Sequence, residues 1–240
     1  MSDVIIESKD NKRIPAHKFV ICARSEVIAT LFQQNMKEKQ TNVIKMEGSE
    51  EAVKKLLEHI YTFKTIIDGE TVMEVFVLSK EFGLPLLTKA CQDFIETSIN
   101  LENIITIYNF AHFMEGEKQI CDKCIQYVSY YTSQFLNLEH LGTLLKEPFI
   151  EILKCNELSC SEIELFRGVI KWSKHNNNDQ LQTLLHHIRF PLMSIKEIST
   201  EVFQTKALPE EDFYPLMLYV GSGGTNGTTK FSTKQRYPKL

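Results

Sequence analysis

Glycine and tryptophan are scarce in this 240-residue chain, with ten glycines, of which only six precede residue 221, and a single tryptophan. That scarcity excludes a collagen-like or low-complexity polymer. No apolar run approaches the ~18 residues that a membrane helix needs, so no membrane partner is expected. The start, Met1-Ser2-Asp3-Val4, has no basic segment leading into an apolar stretch, the form that a secretory signal takes. Without export, a cytoplasmic or nuclear location is expected, with the six cysteines as thiols. An excess of positive charge is also missing. Lys+Arg 27 against Asp+Glu 31 leave −4 overall. Four cations (Lys230, Lys234, Arg236 and Lys239) sit in the last twenty residues without an acid, so the first 220 stand at −8. An acidic body does not attract phosphate backbones, and no nucleic acid is expected as partner.

What is present is ordinary globular material, 43% apolar and 24% charged. At about 100–200 residues per domain, one or two domains are expected, large enough to need neither disulfide nor metal. Val4 and Ile6 alternate with polar neighbours, Asp10-Asn11 supplies a turn, and Arg13-Ile14-Pro15 reads as a second strand. A third strand is expected over 42–46. So few strands need helices to cover them.

Helical periods dominate elsewhere. Val53, Leu56, Leu57 and Ile60 recur at i, i+3, i+4 and i+7, as do Ile104, Ile107, Tyr108 and Ala111. Gly83 ends one helix and Pro85 opens the next, Asn100 is placed as an N-cap, and Pro148 as a first helical residue. Ser161-Glu162-Ile163-Glu164 reads as a capping box ahead of Leu165, Phe166, Val169, Ile170 and Trp172, a helix packed on much of its circumference. Four glycines among serines, threonines and scattered cations give residues 221–240 the composition of a flexible tail.

The order of these elements, with Asp3-Val4-Ile5-Ile6, Pro15-Ala16-His17-Lys18, Ala23-Arg24-Ser25 and Leu57-Glu58-His59-Ile60-Tyr61-Thr62, resembles the BTB/POZ domain. The helical region with Val169-Ile170-Lys171-Trp172-Ser173-Lys174-His175 and Ile188-Arg189-Phe190-Pro191-Leu192-Met193-Ser194 looks like a BACK domain. The resemblance implies an α+β fold, with a short sheet covered by helices over 1–98. An all-α helical bundle follows over 99–205, then a C-terminal helix or linker and flexible tail over 206–240. It also implies a role as a non-catalytic adaptor that links a substrate protein to a cullin-RING ubiquitin ligase built on the third cullin. The alternative is a homo-oligomerising scaffold in transcription or cytoskeletal complexes.

The family's cullin-contact motif is an apolar residue, any residue, then Glu, and its place holds Met36-Lys37-Glu38, with Phe32 nearby. Methionine is an adaptable apolar plug and the acid can pair at a rim. The cullin surface is extended in such proteins by paired helices of the BACK region, which correspond here to 101–113 and about 116–134. Asp3 and Lys18 match the residues that line a charged pocket near the family's dimer interface. The bland reading of His17, Lys18 and Asp3 is a buried histidine and a satisfied ion pair. Family members carry a helix and a strand ahead of the Asp-Val block; their absence before Asp3 leads to the expectation of a weakened homodimer. The tail has no room for even one ~50-residue Kelch blade, so no substrate reader is expected.

Catalytic chemistry is not legible. Cys121-Asp122-Lys123-Cys124 is a CxxC, and Cys155 with Cys160 forms a looser pair, but the first falls inside a helix, where four thiolates cannot readily converge. The glycines of 221–230 lack the spacing and the strand–loop–helix context of a phosphate loop. No Ser/His/Asp or Cys/His set assembles from local motifs. Neither an enzyme, a metal nor a cofactor is expected.

Overall fold

The computed structural model describes residues 2–33, 41–114, 116–177 and 180–237. It divides into two compact units, 1–98 and 99–240.

In the first unit, β1 (Val4–Ser8) lies between β2 (Arg13–Ala16) and β3 (Val43–Met46). β2 runs antiparallel to it, with Ile6 opposite Ile14, and β3 parallel, with Ile6 opposite Ile44. Alternation decides which face is covered. Val4, Ile6, Ile44 and Met46 are buried, while Ile5 and Lys45 point the other way. The cover comes from α1 (Lys18–Arg24), α2 (Glu26–Gln33), α3 (Glu50–Thr62), α4 (Val72–Glu81) and α5 (Pro85–Ser98). Helix α3 shows why its sequence stops and starts where it does. Ser49 accepts the Ala52 N–H at its start, Phe63 ends it in the left-handed region at φ 57°, and Ala52, Val53, Leu56, Leu57 and Ile60 bury one face. Each of the larger four, Val53, Leu56, Leu57 and Ile60, contributes roughly 1.5–3 kcal/mol on burial. Gly83, at φ +64°, makes the tight turn from α4 into α5 that a side chain would strain.

The second unit is helical. It contains α6 (Ile104–Phe113), α7 (Lys118–Tyr130), α8 (Thr132–Asn137), a 3-10 turn (Glu139–Thr143), α9 (Lys146–Lys154), α10 (Glu162–His175), α11 (Leu181–Leu185), short helical pieces between residues 190 and 205, and α12 (Glu210–Gly221). Helix α10 is its axis. The capping box of Ser161 and Glu164 forms, and Ile163, Leu165, Phe166, Gly168, Val169, Trp172 and Ser173 are all buried. The indole N–H of Trp172 donates to the Leu144 carbonyl at 2.7 Å, which makes this residue a packing anchor with its polar edge satisfied.

Asn100 makes its cap bonds one turn ahead of the first residue of α6. Its side chain accepts from Glu102 and Asn103 N–H, Asn103 answers by accepting from Asn100 N–H, and the Asn100 carbonyl accepts the Ile104 N–H at 2.9 Å, so the turn it closes leads straight into the helix. One assignment shifts. Pro148 is the third residue of α9 rather than the first, a position that still needs no intrahelical N–H partner.

The tail is the larger correction. Residues 229–237 are not loose. Phe231 and Arg236 are buried, and Arg236 pairs with Glu162 at 2.6 Å. Composition misjudges the segment because a few anchoring side chains, Lys230, Phe231 and Arg236, hold it to distant partners.

Candidate functional site

Of the residues expected to contact a cullin, Met36 and Glu38 lie outside the described residues. Phe32 lies on the last turn of α2, half-buried, with the Lys18 ammonium 4.2 Å from its ring centroid. Lys18 opens α1, whose N-cap residue His17 makes no side-chain cap bond. Asp3, just ahead of β1, supplies the missing acceptor, taking the Lys18 backbone N–H at 2.7 Å. The Lys18 ammonium goes elsewhere and donates to the Asn42 side-chain oxygen at 2.7 Å. Asn42 stands in the left-handed region at φ 52° just before β3, and its carbonyl accepts the Ile5 N–H at 2.9 Å. Asp3, Lys18, Asn42 and Phe32 are thus one exposed-to-half-buried cluster, with the acid and the ammonium each satisfied by a different partner.

His17 is exposed, contrary to its reading as a buried structural residue. Its backbone N–H donates to the Tyr61 hydroxyl at 2.9 Å, and its Nδ1 lies 2.9 Å from the same oxygen.

Around this cluster the first unit presents apolar groups that no sequence motif singles out. Phe19 is 85% exposed, and Phe63 is exposed with the Arg24 guanidinium 3.7 Å from its ring centroid. A cation over an exposed ring contributes about 0.5–1 kcal/mol. A cavity of 110 Å³ lies beside Phe63, lined by Arg24, His59, Ile60, Leu84, Pro85 and Leu86. Burial and then the Arg24 charge push the His59 imidazole below its ordinary range. The exposure of Phe19 is readable in principle. On a 3.6-residue period it lies about 200° from Ile21, so a helix that buries Ile21 turns Phe19 outward.

Cys121 and Cys124 share one face of α7, and burial pushes their thiols up to about 11 and about 12. A thiol so shifted is protonated at neutral pH and a weak nucleophile. Among the described residues no three His, Cys, Asp or Glu side chains converge as a metal site. Glu151 on α9 accepts the Tyr108 hydroxyl at 2.7 Å and lies 3.3 Å from His112 Nε2, fastening α9 to α6. His186 caps α11, and the rings of His186 and His187 meet edge-on at 5.9 Å.

Comparison with known proteins gives the following. The model of the BTB/POZ domain matches residues 1–99, and that of "BTB And C-terminal Kelch", the BACK domain, matches residues 104–203. "BTB/POZ domain-containing protein 9" of Drosophila melanogaster is 27% identical over 192 residues, covering 79% of this chain and 26% of that protein. "Kelch repeat and BTB domain-containing protein 3" of Homo sapiens is 29% identical over 243 residues, covering 93% of this chain and 38% of that protein. The BTB domain of zebrafish PATZ1 aligns with a TM-score of 0.35 and 26% identity, over 40% of this chain and 77% of that structure. The chain spans about a quarter to two fifths of the length of the curated relatives it matches.

Proposed function

The chain is a BTB–BACK protein, a member of a family of interaction modules, and we propose that it serves as a non-catalytic adaptor joining a substrate protein to a cullin-RING ubiquitin ligase built on the third cullin. The observation that carries this reading is the succession of a BTB/POZ match over 1–99 and a BACK match over 104–203 in one chain. Residues 1–98 would be the docking part. In this reading the end of α2 with Phe32, followed by Met36 and Glu38, meets the cullin, and the paired helices α6 and α7 of the BACK part (99–205) add contacts. The half-buried ring of Phe32, four positions ahead of Met36 in the sequence, supports it, because phenylalanine and methionine are enriched in interface cores. A cytoplasmic or nuclear location follows from the same role.

Calorimetric titration of the chain with the N-terminal domain of the third cullin tests this. Micromolar or tighter binding is expected, weakened about tenfold by Met36→Ala or Glu38→Ala, the effect of losing one hot-spot side chain. No heat of binding at tens of micromolar removes the reading.

A second reading, a scaffold that acts by self-association, is favoured by the exposed Phe19 beside the Asp3–Lys18 cluster. Sedimentation equilibrium separates the two. A dimer that Phe19→Glu dissociates, and that shows no cullin binding, supports the scaffold. A monomer that binds the cullin supports the adaptor.

A further inference from the structure

Buried deep in the second unit is a charged group that the adaptor reading does not use. Glu162 and Arg236 keep only 6% and 4% of their side-chain surfaces exposed. Glu162 is the first residue of α10, where the helix dipole favours an acid. One of its oxygens accepts the backbone N–H of Arg189 at 2.9 Å, and the other accepts Arg236 Nε–H at 2.6 Å. The rest of the guanidinium is met by backbone carbonyls. Nη1 donates to the carbonyls of Leu153, at 2.8 Å, and Cys155, and Nη2 donates to that of His187 at 3.1 Å. Leu153 and Cys155 stand at the C-terminal end of α9, and His187 lies just beyond α11, so these are the carbonyls that helix ends leave unpaired. Four of the five guanidinium N–H groups therefore find acceptors supplied by three separate elements. An ammonium, with three donors and no plane, cannot satisfy that set.

The main chain on either side is held in ways independent of side-chain identity. The Arg189 guanidinium donates to the Lys234 carbonyl at 2.7 Å and to the Asn156 side-chain oxygen at 2.7 Å, and the Tyr237 N–H donates to the Asn156 carbonyl at 2.8 Å. Five residues before the arginine, Phe231 is buried with its ring edge-on to Phe190 at a centroid distance of 4.8 Å. Residues 229–237 contain no helix or strand. At the start of the segment the Lys230 ammonium pairs with the Asp212 carboxylate at 2.5 Å. The segment lies on the bundle as a peptide ligand lies in its groove, held by one ammonium, one aromatic, one guanidinium and a main-chain clasp.

We propose that the second unit contains a binding site for an extended peptide with an aromatic residue five positions ahead of an arginine, a site that the chain's own residues 229–237 fill in cis. The buried carboxylate of Glu162 and the ring of Phe190 are its main selective elements, with Asp212 pairing the half-exposed Lys230 at the rim. When the tail leaves, Glu162 keeps the Arg189 N–H, so the empty site stays organised for a second guanidinium. The same segment of another copy, or a partner segment of this pattern, competes for it.

The test uses the full chain carrying Arg236→Ala and a fluorescent peptide of residues 229–237. Hydrogen exchange at the amides of 229–237 is expected to accelerate in the variant, Tyr237 included. The labelled peptide is expected to bind the variant saturably in anisotropy measurements. It should bind the unaltered chain at least about tenfold more weakly, because a tethered tail competes at millimolar effective concentration. A peptide with Arg236→Lys should also bind the variant at least about tenfold more weakly, since the ammonium leaves carbonyls unmet. If Arg236→Ala loses the buried-tryptophan signal of the folded unit, the Arg236→Lys chain serves as host. Tail amides that stay protected in both variants, or a lysine peptide that binds as well as the arginine peptide, overturns the proposal.

Discussion

Breaking the Glu162–Arg236 pair from its two ends should have unequal consequences. Removing Glu162 leaves the buried Arg236 guanidinium without its carboxylate partner, with the positive charge of Arg189 close enough to repel it. Uncompensated buried charge of this kind costs about 3–5 kcal/mol. Removing Arg236 is milder. The tail can peel away, water reaches Glu162, and the Arg189 N–H continues to hold one carboxylate oxygen. That leaves the loss of a few charge-assisted hydrogen bonds, about 1–3 kcal/mol. Glu162→Ala should therefore destabilise the second unit by more than Arg236→Ala, and the double variant should fall below the sum of the two. The single tryptophan makes the measurement local, because Trp172 is 3% exposed inside this unit and its fluorescence reports that unit's unfolding in urea. At a slope of about 2 kcal/mol per molar, 3–5 kcal/mol moves the midpoint by about 2 M. Equal shifts, a larger shift for Arg236→Ala, or shifts under about 1 kcal/mol for both would refute the reasoning.

Gly142→Ala places a Cβ 2.3 Å from the ring base of His175, which cannot move without its helix, and should cost about 1–3 kcal/mol in the same tryptophan-monitored melt. An unchanged midpoint contradicts that packing. Lys55, with help from Thr71, holds the Asp68 carboxyl down at about 2 against an ordinary 3.8. Its stabilising contribution is therefore full above the ordinary value and is lost as pH falls through about 2. Carboxyl NMR should give a midpoint near 2, and one at the ordinary value refutes the pairing. Burial pushes Cys91, Cys124 and Cys160 to about 12. Native protein at neutral pH should leave these three unlabelled by iodoacetamide in peptide mass spectrometry, and prompt labelling of Cys124 would contradict its burial.

The strands were legible because alternation over Val4–Ser8 and 42–46 is a local signal, and α10 because its capping box and apolar run are contiguous. The tail was illegible for the opposite reason. Phe231 and Arg236 are isolated in a Gly- and Ser-rich stretch with no period, and the partner that orders Arg236 lies 74 residues away. The charged cluster was half legible. The family resemblance brings Asp3 and Lys18 together, but the exchange of partners, with the acid taking a backbone N–H and the ammonium taking Asn42, depends on how β1, α1 and the approach to β3 meet. The helical placement of Cys121 and Cys124 was legible from their spacing, while the burial that separates the closed Cys124 from the half-buried Cys121 was not.

The central claim is that the end of α2 and the residues after it are where a cullin docks. Hydrogen exchange of the chain with and without saturating cullin N-terminal domain tests that site by position. The account predicts slowed exchange over residues 26–41. Unchanged exchange throughout 1–98 at saturating cullin would contradict it.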